Sequence, residues 1–408
     1  MKTNILFIVL DCARADVICG PRRHVKTPVI DSLVERGTYF TQAISTASTT
    51  TPCFASLLTG TYPFTNGVRG HSGCRLKADI TTLAESLRAA GYHTYAEMSG
   101  PLLPEVGLAR GFDEYNHRSR HECLGGEWGE AWRQRLRTGG YKEPLFILLH
   151  VWSLHRPRQV LPQFDSPEYG REEYERAVSS VDWQLGRILE LFDQPPLLIL
   201  HSDHGENVPR GLWGWFSRRF RHRLERRVNM RFYHLGHGFN VYDSLVRVPL
   251  LFVGEPFPAG RVATNQVRQI DILPTLLDAL GIPAPVVIKG RSLMPAVRGE
   301  AMESAPAYME ACGSIIPSKD LYLAGLRTPD WKYIYAPYTD TIRPALYNLK
   351  LDPAELVNLA PLLPGLARQM GARIEAIRAG DTYTLDTQPM TPEEQKRMED
   401  HLRDLGYL

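Results

Sequence analysis

The chain has 408 residues, of which 43% are apolar and 23% charged, and a formal net charge of +2. This length predicts one large domain and a smaller one, with the composition of an ordinary soluble globular protein. The six cysteines are scattered with no CxxC pair, which argues against a structural zinc site and a dense disulfide framework, and predicts free thiols in a reducing compartment.

The chain opens "MKTNILFIVLDCARAD". Its apolar run stops at Asp11, too short for the core of a signal peptide, and no small-residue cleavage site follows. Ile5 to Leu10 reads as a buried parallel strand. No stretch approaches about 18 apolar residues, so no transmembrane helix is predicted and a cytoplasmic enzyme is expected. "TPVIDSLVERG" reads as a helix. "TTLAESLRAAGYHTYAEMS" reads as a helix, then Gly91, then a strand. "PLFILLHVW" is a continuous apolar strand. The next helix, "REEYERAVSSVDWQLGRILELF", places Val178, Val181, Leu185, Ile188, Leu189 and Phe192 at helical spacing. It leads into the strand "PPLLILHSDHGE", and "VPLLFVG" is one more. This alternation predicts an α/β fold with a mostly parallel central sheet flanked by helices. After about residue 300, "SAPAYMEACG", "LYLAGLRTPDWKYIYAP" and "PALYNLKLDPAELVNLA" read as a Tyr-rich antiparallel meander, followed by the helical "MTPEEQKRMEDHL". The expected division is a catalytic domain over 1–300 and a smaller α+β domain over 301–408.

In parallel sheets ligands bind beyond the carboxyl ends of the strands. The polar residues there are Asp11, His150, His155, Asp203 and His204. Asp oxygen and His nitrogen suit Zn²⁺ or Mn²⁺. The plainer alternative is that Asp203 caps a helix and His204 packs; Asp11 in the matching context favours the metal. "TTTPCFASLLTG" reads as a loop and a short helix with Pro52 in its first turn. Thr50 or Thr51 then faces unpaired N–H groups at a helix N-terminus, where anions bind. As an isolated motif, these threonines are ordinary helix caps.

"NILFIVLD", "TPVIDSLVERGTYFTQA", "ASLLTGTYPFTNGVRG", "GFDEY", "SDHGE", "HGFNVYDSLVRVPLLFVG", "DILPTLLDALGIPAP" and "LYNLKLDPAELVNLA" follow one another along the chain. In order and spacing they resemble the sulfatase-like branch of the alkaline phosphatase superfamily. That resemblance implies a nucleophile in the pattern C-x-P-x-R before L-x-T-G, where Cys or Ser becomes formylglycine. Counted back from "LLTG", Thr50 holds the nucleophile position, Pro52 the proline and Phe54 the arginine; Cys53 lies one residue past the proline. Threonine cannot expel sulfate by regenerating an aldehyde, whereas a Thr50 phosphate ester is a workable intermediate. The family's second aspartate after the first strand is Cys12 here, and its asparagine after Asp203 is His204. These changes move the preference from Ca²⁺ toward Zn²⁺ or Mn²⁺, with Ca²⁺ as a third option. The implied set is Asp11, Thr50, Asp203 and His204 around one divalent metal. The extra aspartate of two-zinc relatives finds no match, since Ser153 stands before "LHRP". His155 and His237 match residues on the leaving-group side, and either could protonate the departing oxygen. His71, His150 and Arg14 stay open between packing and function. The family's "GKWHLG" has no counterpart.

"VPRGLWGWFSRRFRHRLERRVNMRFY" follows the metal motif, with eight arginines and one glutamate among Trp213, Trp215, Phe216 and Phe220. It reads as an insertion over about 208–232: a solvated, partly packed segment, or a basic aromatic lid making peripheral membrane contact through 210–231. The expected partner is an anionic small molecule, glycan or lipid headgroup, with no nucleic acid. The leading expectation is a metal-dependent hydrolase or transferase of phosphate esters, phosphodiesters or phosphonates through Thr50. The alternatives are a sulfuric ester hydrolase and a non-catalytic anion-binding pseudoenzyme.

Overall fold

A computed structural model describes residues 2–20, 24–208, 237–313, 315–379 and 390–408. The expected basic insertion, including the 210–231 membrane contact, lies outside the described residues from 209 onward. Eight strands form the main sheet: β1 (Ile5–Leu10), β2 (Gly37–Ile44), β3 (His93–Met98), β4 (Glu114–His117), β5 (Leu145–Val151), β6 (Leu197–Ser202), β7 (Arg247–Val253) and β8 (Arg261–Arg268). Their spatial order is β4-β3-β5-β1-β6-β7-β2-β8. Pairing is parallel except at β7, which runs antiparallel to both β6 and β2. The mostly parallel sheet expected from the alternating pattern is therefore present.

Each strand of a doubly covered sheet buries both faces, so its sequence is apolar throughout rather than alternating. In β1, Ile5, Phe7 and Val9 join one apolar cluster, while Leu6, Ile8 and Leu10 join the cluster on the opposite face. The second cluster also takes Val178, Val181, Leu185 and Ile188 from the helix Glu173–Leu189, the face that helical spacing had marked. β1 lies between β5 and β6 in the centre. Its carboxyl end thus meets theirs, and Asp11, His150 and Asp203 become neighbours.

Four further strands, β9 (Ala307–Ala311), β10 (Leu323–Arg327), β11 (Trp331–Tyr335) and β12 (Ala345–Asn348), form an antiparallel meander. One face packs on Val241, Leu245 and Val246 of the main domain. The other is covered by Ala367, Met370 and Ile374 of the helix Pro364–Ile377. The last helix, Pro392–Leu405, packs elsewhere: its Met398 and Leu402 join the core of the main sheet.

Candidate active site

Asp11 directly follows β1 and is wholly buried. Cys12 then adopts a left-handed conformation (φ 60), which costs a non-glycine residue about 1–2 kcal/mol. Its N–H donates to Asp203 Oδ1 at 3.3 Å, and its carbonyl accepts from the Tyr174 hydroxyl at 2.7 Å. This turn ties the end of β1 to the end of β6. After β6, Asp203 Oδ1 also accepts from the His204 N–H at 2.7 Å. Gly205 then passes so close to the helix start at Asp243 that a Cβ would lie 2.2 Å from the Ser244 carbonyl oxygen. A side chain there would push the Asp203–His204 pair out of place.

Thr50 is the first residue of the helix Thr50–Thr59, with Thr49 at the N-cap. The sequence reading placed the nucleophile just before the helix; it stands one residue inside, where its side chain shares the N-terminal end with unpaired N–H groups. Thr50 Oγ1 lies 3.3 Å from Asp11 Oδ2 and 3.2 Å from His204 Nε2. His204 Nδ1 donates to the Gly205 carbonyl at 2.8 Å, so Nε2 turns its lone pair toward Thr50. Thr51 instead faces away, paired with His71 Nδ1 at 2.7 Å. Cys53 is buried, its thiol donating to the Ala47 carbonyl at 3.1 Å.

Asp11, Asp203 and His204 present ligand atoms that all lie within 4.8 Å of one another. Asp11 Oδ1 and Asp203 Oδ2 are buried and accept no hydrogen bond. Burial and the charge of Asp11 push Asp203 up, whereas Asp11 is held low against its own burial by His150 and His204. Two buried carboxylates with free oxygens facing one lone pair are what a divalent cation satisfies. The residues present therefore fit the metal that the resemblance implies.

Two neighbours escaped the sequence reading, and it left a third open. Cys12 had been taken only as the loss of an acid, but its thiol also falls within 4.8 Å of ligand atoms of Asp11 and His155, and in a second group of His204 and His237. His150, left open from sequence, brings Nε2 to 3.3 Å from Asp11 Oδ2. Position two residues past a central strand end was the only available signal for Cys12. Tyr407 had no signal at all: it comes from the end of the last helix, 3.1 Å by its hydroxyl from His155 Nε2 and 3.5 Å from His237 Nε2. Its ring packs edge-on against His71. Arg14, the other open residue, pairs with Asp16 and donates to the Glu206 carbonyl at 3.2 Å.

His155 and His237 face one another with ring centroids 5.2 Å apart, and His237 lies 4.6 Å from His204. Their surroundings shift them in opposite directions. Burial draws His155 down to about 4, and its Nδ1 donates to the Arg156 carbonyl at 2.8 Å. Burial also opposes a charge on His237, but Glu206, 3.7 Å from its Nδ1, raises it above the usual imidazole value. Glu206 in turn is held down to about 2: its burial is outweighed by His237. Among the described residues no helix is long and apolar enough to cross a membrane.

Comparison with known proteins gives the family and the fold. A family model described as Sulfatase matches residues 3–282, and one described as N-sulphoglucosamine sulphohydrolase, C-terminal, matches residues 236–379. Arylsulfatase K of Homo sapiens is 30% identical over 217 residues, covering 50% of this chain and 36% of that protein. The match thus spans about a third of that relative's length. N-acetylgalactosamine-6-O-sulfatase of Bacteroides thetaiotaomicron is 23% identical, with 92% of this chain and 93% of that protein covered. The phosphonate monoester hydrolase of Agrobacterium radiobacter has the same fold, with a TM-score of 0.74, 21% identity, and 93% and 96% of the two chains covered. With the Sulfatase match running from β1 through the sheet and all the strand ends that build the buried Asp11–Asp203–His204 cluster, the chain belongs to the sulfatase family.

Proposed function

We propose that this chain hydrolyses a sulfate ester on an anionic, glycan-like substrate, with Thr50 as the nucleophile. The observation that carries the reading is Thr50 Oγ1 at the helix N-terminus, 3.3 Å from Asp11 and 3.2 Å from His204. The chemistry of threonine by itself put phosphorus esters first. Family membership and relatives named for sulfate esters reverse that order.

Asp11, Thr50, Asp203 and His204 would hold one divalent metal, zinc or manganese before calcium, with the nearby Cys12 thiol favouring zinc. Such an ion supplies charge stabilisation and lowers the pKa of a bound hydroxyl. Thr50, whose hydroxyl proton passes to solvent before the substrate enters, attacks sulfur through Oγ1, and the bond from sulfur to the alcohol oxygen breaks. His237, kept protonated by Glu206, gives its proton to the departing oxygen. Neutral His155 and the Tyr407 hydroxyl flank that side. The Thr50 sulfate ester is then cleaved by water attacking sulfur: the water gives one proton to the now neutral His237, hydrogen sulfate leaves and loses its proton in solution, and Thr50 Oγ1 is returned for the next turnover. Burial of Asp11, Thr50, His155, Asp203 and His204 keeps other water away from the reacting centre.

A second reading, a phosphate or phosphonate ester in the same place, is favoured by one specific feature. Thr50 lacks the aldehyde chemistry that lets formylglycine shed sulfate, and in-line displacement at phosphorus needs no such step. Initial rates of zinc- and manganese-loaded protein on matched aryl sulfate, phosphate monoester, diester and phosphonate decide between the two. We expect the sulfate to be fastest and its turnover to fall at least about a thousandfold in Thr50→Ala. Preference for a phosphorus ester, lost in the same variant, would replace the first reading with the second. No turnover of any ester by metal-replete protein would overturn both.

A further inference from the structure

The helix Pro392–Leu405 ends in a left-handed cap. Gly406 takes a φ of 85, its N–H bonds the Arg403 carbonyl at 3.0 Å, and the Tyr407 N–H bonds the Leu402 carbonyl at 2.9 Å. Leu402 belongs to the core of the main sheet, and the turn lays the Tyr407 ring against the same core. On another side the ring meets His71, which is itself held by the Thr51 hydroxyl at 2.7 Å. A buried phenol must place its hydroxyl on a partner. Both partners of Tyr407 are imidazoles of the candidate active site, His155 Nε2 at 3.1 Å and His237 Nε2 at 3.5 Å.

The neighbours set the direction of both contacts. His155 Nδ1 donates to the Arg156 carbonyl at 2.8 Å, so its Nε2 carries the lone pair and the Tyr407 hydroxyl donates to it. The hydroxyl oxygen is then left to accept from His237 Nε2, whose other nitrogen faces Glu206 at 3.7 Å. Burial pushes the phenol well above its ordinary pKa, and Asp11 adds to the push, so the hydroxyl keeps its proton. The same helix supports His155 by a second route. His401 Nε2 donates to the Gly100 carbonyl at 2.8 Å. Gly100 lies so close to Trp152 that a Cβ there would collide with the indole, and Trp152 stacks on the His155 ring with centroids 4.0 Å apart.

We propose that Tyr407 is a positioning residue for the reaction: its hydroxyl bridges His155 and His237 and keeps both Nε2 atoms turned to the leaving-group side of Thr50. The proposal rests on the functional reading above for the role of that side. It adds that the helix Pro392–Leu405, remote in sequence from every metal-site residue, sets the aim of the proton donor. An ester whose departing oxygen needs a proton depends on that aim, whereas one that departs as a stable anion does not.

Two measurements test it. Tyr407→Phe removes the hydroxyl and keeps the ring on His71. Rates are compared for an alkyl and a p-nitrophenyl ester of the same transferred group, sulfate or phosphonate, whichever the protein turns over. The ratio of kcat for the alkyl over the p-nitrophenyl ester is expected to fall roughly tenfold in the variant. Its melting temperature is expected to stay within about 2 °C. A merely structural Tyr407 would lower both rates together, and an unchanged ratio would overturn the proposal. The second measurement needs no turnover: the imidazole nitrogens are read by NMR in zinc-loaded, ¹⁵N-histidine-labelled protein. The His155 Nε2 resonance is expected to move downfield in Tyr407→Phe, as a lone pair that has lost its donor. An unmoved resonance would mean that no bond joins the hydroxyl to the imidazole, and would overturn the proposal even with turnover intact. A moved resonance in a protein that turns over no ester would sustain the bridge and remove the ester reading instead.

Discussion

Thr50 and Cys53 lie on the same helical turn, and only one of them reaches the site. Thr50 takes the first position, facing Asp11 and His204; Cys53 packs inward against the Ala47 carbonyl. Burial pushes the Cys53 thiol well above its ordinary pKa, so it is held as an inert thiol. Cys53→Ala is therefore expected to keep turnover within about twofold and to cost on the order of 1 kcal/mol in stability, read by steady-state rates and urea unfolding. A large loss of kcat with unchanged stability would return Cys53 to the chemistry. The helix N-terminus narrowed the choice to Thr50 or Thr51, and the family resemblance, counted back from "LLTG", implied Thr50. The thiol of Cys12 was not legible, because its direction depends on a left-handed turn imposed by Tyr174 and Asp203.

The meander β9–β12 is joined to the main domain by a buried charge network. Lys332 of β11, wholly buried, reaches Asp243 at 2.8 Å and Glu355 at 3.0 Å, and Arg327 of β10 reaches Asp243 at 2.9 Å. Lys332→Met would leave Glu355 without its cation and Asp243 with Arg327 alone, and is expected to cost about 3–5 kcal/mol in chemical unfolding. Burial pushes Glu355 up to about 7 although Lys332 pulls it down, and Asp243 adds to the push. A raised acid binds its proton more tightly when folded. Its contribution to stability is present below the unfolded pKa and is lost as pH rises through 7. The melting temperature is therefore expected to fall between about pH 5 and 8, and Glu355→Gln to flatten that fall; an identical pH profile in the variant would refute the assignment. The helix Pro392–Leu405 shows the opposite balance of legibility. Its capping box, Thr391 with Glu394, belongs to local sequence. Its docking on the main core, and with it Tyr407 beside His155, depends on Met398 and Leu402 finding a distant apolar surface.

Across the whole molecule the site exists only when the sheet is assembled. Asp11, Thr50 and Asp203 come from separate segments and meet because β1 lies between β5 and β6. A cation bound by this set binds the folded chain alone, so it must stabilise it. Removing metal by chelation is expected to lower the melting temperature by several degrees as well as to abolish turnover. Zinc or manganese should restore both, whereas an unchanged melting temperature after verified metal loss would contradict the proposed ligand set. The same assembly leaves Asp11 Oδ1 and Asp203 Oδ2 without hydrogen-bond donors.

The sequence by itself determined the α/β order, the buried central strands and the positions of Asp11, Thr50, Asp203 and His204. The strands, Asp11, Asp203 and His204 follow from periodicity and from adjacency to strand ends, which are local properties of the chain, whereas Thr50 was implied by the family resemblance. Tertiary structure alone decided that Cys12 and Tyr407 also face the site, that the open candidate His150 reaches Asp11, and that Glu206 raises His237 above the usual imidazole value. Each of these depends on the distance between residues remote in the chain, and side-chain burial and charge balance are set only when those distances close.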